Sequence, residues 1–92
     1  MTAAAHSEAG WLSALTGTIR LIEHHTHAAL RWKIGGGMAL DDLGFDNLDR
    51  QSLACDLDEH FGIEISDQAL IDWIFVADVA RTVAELTARK TA

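Results

Sequence analysis

Apolar residues recur along the chain at helical rather than strand spacing. From about Ser7 to Ile34, Trp11, Leu15, Ile19, Ile22, Ala29 and Leu30 fall on one stripe, which predicts a long amphipathic helix. Gly35, Gly36 and Gly37 break that pattern, and a loop with Met38, Leu40 and Leu43 follows. A second helix is expected to start at Asp46 or Asn47, whose side chains can accept from the free amides of a first turn. It would run through Leu48, Leu53, Leu57 and Phe61 to a stop at Gly62. Ser66 can cap a short helix over Asp67 to Asp72. Val76, Val79, Ala80, Val83 and Leu86 then repeat at helical spacing in a last helix over about Val76 to Ala88. The pattern predicts an all-α bundle of four helices with a short third one. Leu15, Ile19, Ile22, Leu43, Leu53, Leu57, Phe61, Ile63, Ile65, Val79 and Val83 are expected to converge on one core.

Length and composition narrow the function classes. Ninety-two residues fit one small domain, with residues 1–6 as a flexible lead, and leave little room for a catalytic cleft and its supporting shell. The chain is 49% apolar without Pro or Tyr, which suits a helical globule. Lys plus Arg number 7 against 14 for Asp plus Glu, so the net charge of −7 repels phosphate backbones and anionic lipid heads and suits basic protein surfaces. Nucleic acid and membrane are therefore not expected partners. A single Cys, no apolar run long enough to span a bilayer and no signal pattern at the N-terminus together give a cytoplasmic reading and a monomer.

The stretch "DDLGFDNLD" followed by "LDEHFGIEIS" resembles the acyl and peptidyl carrier proteins. Their pattern reads D-L-G-x-D-S-L-D and then E-E-x-F-x-I-x-I-[PS], with the same number of residues between the two parts. The resemblance runs without a gap from Asp42 to about Leu86, and "WIFVADVARTV" stands where the family has T-V-x-D-x-V-x-x-I. The first 40 residues resemble the family only as an amphipathic helix and a loop. Here that helix is longer, and the loop shorter and richer in glycine. The resemblance implies a four-helix carrier fold in fatty-acid, polyketide or related acyl metabolism, with 4′-phosphopantetheine as the family's cofactor.

The chain departs from the pattern at its chemical centre. The family's serine, whose hydroxyl is esterified to phosphopantetheine, is replaced by Asn47. An amide nitrogen does not replace that hydroxyl as a nucleophile toward coenzyme A, so the cofactor is expected to be absent. Asn47 has a bland reading, as a helix cap equivalent to Ser, and a sharper one, as a recognition contact. A third possibility places the arm on Ser52, but that residue is over a turn further on and rotated by about 140° from position 47.

The resemblance also implies a docking face on the second helix, made of Asp46, Leu48, Gln51, Ser52, Cys55, Asp58 and Glu59 and meeting enzymes with basic docking surfaces. Gln51 and Cys55 stand where the family shows larger apolar side chains, which would weaken ordinary docking. The acids could equally be a solvated helix face.

His24 and His27 share a helix face, with His25, His6 and His60 elsewhere, but nothing completes a tetrahedral set, so no metal site is expected. Glu23 beside them adds little. Cys55 lies amid Asp56, Asp58 and Glu59, which disfavour a thiolate, and it is read as a packing or docking residue. Trp11, Trp32 and Trp73 are read as core. Neither a nucleophile-base-acid set nor a phosphate-cradling loop is visible, so a non-enzyme is expected, and an unmodified interaction module on the carrier fold is the alternative reading.

Overall fold

A computed structural model describes residues 8–26 and 34–91. The expectations for residues 1–6, His27, Ala29, Leu30 and Trp32 lie outside the described residues. The described residues form four α-helices: α1 (Glu8–His25), α2 (Asn47–Phe61), α3 (Asp67–Asp72) and α4 (Val76–Thr91). A 3₁₀ turn, Asp41–Leu43, precedes α2. Helix α1 packs mainly on α4 and also on α2, while α2 meets α3 and α4.

Helix α1 ends nine residues short of the expected Ile34, which is buried but non-helical. Two tertiary contacts lie at that end. The His25 imidazole meets the Asp56 carboxylate at 2.5 Å, tying α1 to α2, and the Thr26 hydroxyl donates to the Leu43 carbonyl at 2.6 Å.

The D-L-G-x-D stretch has a physical account residue by residue. Leu43 and Phe45 are buried, with Gly44 between them in the left-handed region at φ 81°, where a side chain would be strained. Gly44 donates to the Asp41 carbonyl and Phe45 to the Leu40 carbonyl, which folds the turn back on itself. Leu40 donates to the Ile74 carbonyl and Val76 to that of Met38, pinning the loop to the segment that joins α3 to α4.

Helix α2 starts where expected, yet its cap is Asp46 and not Asn47. The Asp46 carboxylate accepts from the Asp49 amide at 2.8 Å, and the Asp49 carboxylate accepts from the Asp46 amide at 3.1 Å, a reciprocal capping box. Asn47 is the first helical residue, so the bland reading of it as the cap is corrected. Gly62, at φ 66°, ends α2 as expected. Ser66 caps α3 by accepting from Ala69 at 3.2 Å.

The core confirms Ile22, Leu43, Leu53, Leu57, Val79 and Val83, all buried. Leu15, Ile19, Phe61, Ile63 and Ile65 are only partly buried against it. Phe61 lies at the far end of α2 against α1. A Cβ on Gly17 would sit 2.6 Å from its ring, so the ring occupies the space that glycine leaves. Leu40, Phe45 and Val76 complete the centre, and Trp73 is buried with its indole N–H donated to Thr82 at 2.9 Å.

Candidate functional site

The start of α2 forms a corner with the 3₁₀ turn and α3. Asn47 is exposed on it, and its side chain makes no hydrogen bond among the described residues. Two adjoining crevices of 350 and 590 Å³ flank this position and share Asn47, Arg50, Leu70 and Ile71 among their walls. Phe45 and Trp73 wall the second. Next to these crevices Leu48 is 70% and Ile71 74% exposed, and Ile74 and Phe75 follow at 59% and 44%. Exposed Asp42, Asp46 and Asp67 lie on the same turn, cap and helix start. The corner combines an apolar surface with an acidic rim.

Of the residues singled out on α2, Asp46, Leu48, Gln51, Ser52, Cys55 and Glu59 are exposed. Leu48, Ser52, Cys55 and Glu59 succeed one another at three- and four-residue steps along one stripe. Asp58 lies off that stripe. Its carboxylate accepts from the Ile65 amide at 2.9 Å and its carbonyl from Gly62 and Ile63, so it holds the turn after α2. Cys55 is exposed, which removes packing from its two readings. Ser52 is exposed on the helix body, away from the turn that presents Asn47.

Asp78 fixes the segment that carries Ile74 and Phe75. Its carboxylate accepts from the Phe75 amide at 2.8 Å and the Ile74 amide at 3.0 Å, and Arg81 meets it at 2.9 Å. The Phe75 amide above all, with Ile74 and Arg81, holds its pKa below the ordinary value against a smaller opposing effect of burial.

Sequence reasoning missed two features. Arg50 is the single Lys or Arg between Lys33 and Arg81, and that isolation in an acidic stretch was the available signal. Its guanidinium donates to the Trp73 carbonyl at 2.5 Å. The exposed Ile71, Ile74 and Phe75 were hidden in an apolar stretch, Ala69 to Ala77, interrupted only by Asp72, that reads equally well as core. His24 is exposed, and among the described residues no group of three or more His, Cys, Asp or Glu side chains is placed to hold a metal ion. No described helix is long and apolar enough to cross a membrane.

No family model matches the chain, and no curated sequence does. A solved structure does match: the acyl carrier protein of Thermotoga maritima superposes with a TM-score of 0.73 at 16% identity, covering 87% of this chain and 93% of that one. The fold is therefore an acyl-carrier-protein-like four-helix bundle.

Proposed function

We propose that the chain is a carrier-protein-like domain that docks, through the corner between α2 and α3, on enzymes of fatty-acid, polyketide or related acyl metabolism. The observation that carries this reading is the exposed apolar surface of Leu48 and Ile71 beside Asn47, at the start of a helix capped independently by Asp46. Partners on this reading are acyl-transfer or synthase enzymes with basic docking surfaces, and the chain is no enzyme itself.

The site does not fit covalently bound 4′-phosphopantetheine. A phosphodiester needs a hydroxyl oxygen, and the lone pair of the Asn47 amide nitrogen is delocalised into its carbonyl. The protein therefore acts without the arm at this position. Gln51 and Cys55 favour a second reading, an unmodified regulatory module that binds a basic enzyme surface through the same fold, because they leave the α2 stripe short of apolar contacts.

Mass spectrometry after incubation with coenzyme A and a broad-specificity phosphopantetheinyl transferase separates the two. Wild type should gain no mass and Asn47→Ser should gain one phosphopantetheine. A folded Asn47→Ser that stays unmodified favours the regulatory module. A modified wild type, with the arm mapped to Ser52 or another hydroxyl, overturns the assignment of position 47.

A further inference from the structure

Arg50 stands one turn into α2, with its side chain only 14% exposed. One guanidinium nitrogen donates to the Trp73 carbonyl at 2.5 Å and approaches the Leu70 carbonyl at 3.4 Å, and the other reaches the Asp41 carboxylate at 3.4 Å. The last carbonyls of a helix lack partners within it, and here a residue of another helix supplies one. Helix α3 needs such help. It has six residues and none of them is buried. Helices shorter than about 12–15 residues are marginal on their own.

The same side chain lines both crevices beside Asn47. Both crevices are open to solvent along one side. Their shared walls include Leu70 and Ile71, but a guanidinium stands among these apolar groups, and an apolar occupant would strip it of its remaining water without offering an acceptor in return.

We propose that Arg50 is a crossbar that divides one crevice into two and fixes the end of α3, so that the wild-type protein holds no apolar chain beside position 47. This rests on the docking reading above and adds to it a specificity-determining residue. An apolar group brought to the corner by a partner is kept at the surface, over Ile71, rather than withdrawn into the fold. Trimming the side chain joins the two crevices over Leu70 and Ile71.

Octan-1-ol, an uncharged unbranched chain, is the probe, and amide chemical shifts of wild type, Arg50→Ala and Arg50→Lys are the readout. Arg50→Ala should show saturable shifts at Leu70 and Ile71 with affinity at least about tenfold above wild type, the effect of a few more buried methylenes. Arg50→Lys, which keeps a charge and a donor in place, should behave as wild type. Equal binding by wild type and Arg50→Ala, or shifts confined to other regions, overturns the proposal. A second measurement needs no variant: the Arg50 Nη protons of wild type should give separate, slowly exchanging signals, whereas one averaged, rapidly exchanging signal overturns the crossbar. Neither readout depends on the arm, so failure here and failure at Asn47→Ser are distinct results.

Discussion

Substituting Asp46 and Asn47 separately tests the division of labour at the start of α2. Asp46→Ala removes the carboxylate that accepts from the Asp49 amide at 2.8 Å, whereas the reciprocal bond from the Asp46 amide to the Asp49 carboxylate can persist. Both bonds are exposed, so water replaces part of the loss. The expected cost lies near the middle of the N-cap range, about 1 kcal/mol. In a domain of this size that lowers Tm by about 4–8 °C. Asp46→Asn should stay close to wild type, because the two side chains cap alike. Asn47 makes no side-chain bond among the described residues and sits in the first turn, so Asn47→Ala and Asn47→Ser should each change stability by less than about 0.5 kcal/mol. Thermal melts followed by circular dichroism at neutral pH measure all four. A drop for Asn47→Ala as large as that for Asp46→Ala would return the cap to residue 47 and refute the argument. The consequence for function is that position 47 can change its chemistry without loss of the helix start.

Leu57→Ala should cost about 2–5 kcal/mol and Phe61→Ala about 1–2 kcal/mol, because Leu57 is fully buried and the larger Phe61 is not; chemical denaturation that reverses this order would contradict the packing. Asp78 has a lowered pKa in the folded state, so its stabilisation is fully present above the ordinary value of 3.8 and fades as pH falls through the lower folded value; the stability gap between wild type and Asp78→Ala should be level at neutral pH and shrink in acid, and a gap that grows in acid would refute it. In an Asn47→Ser background, Asp42→Lys and Glu59→Lys should slow arm transfer by a phosphopantetheinyl transferase, and added salt should slow the unreversed protein; rates insensitive to both would move the docking surface elsewhere.

The parts of the fold legible in the sequence are those decided over a few residues. The Asp42 to Asp46 turn, the Gly62 stop and the Ser66 cap each rest on groups within about one turn of one another, and each is where the pattern puts it. The end of α1 at His25 was not legible, because the apolar stripe runs on in the sequence through Ala29 and Leu30 and periodicity alone marks no stop. Periodicity placed Phe61 on the apolar stripe but says nothing of how far along the bundle that stripe leaves the core. The same limit applies to Asp58. By pattern it belongs with the surface acids of α2, and only the fold of the chain beyond Gly62 brings the Ile65 amide to its carboxylate. At the candidate site, a single-residue signal marked Asn47, whereas Arg50 acts through carbonyls 20 and 23 residues away that no spacing rule connects to it.

The apolar weight of the corner has a consequence for where docking energy would reside. Along the exposed stripe of α2 only Leu48 is a large apolar residue, followed by Ser52, Cys55 and Glu59. The other large exposed apolar side chains nearby, Ile71, Ile74 and Phe75, belong to α3 and the segment after it. Apolar anchors carry most of the energy of an interface, and a mobile anchor loses part of that energy to its own ordering. Helix α3 buries none of its residues fully and packs on the core through Leu70, so polar ties add to the rigidity that this limited packing supplies. Arg50 holds the carbonyl end of α3, Asp78 the amides of Ile74 and Phe75, and Thr82 the Trp73 indole. On the docking reading these partly buried polar groups determine how firmly the anchors are presented. Loss of the uncharged Thr82 hydroxyl should weaken a partner's hold through a faster off-rate while leaving the charge-steered on-rate unchanged.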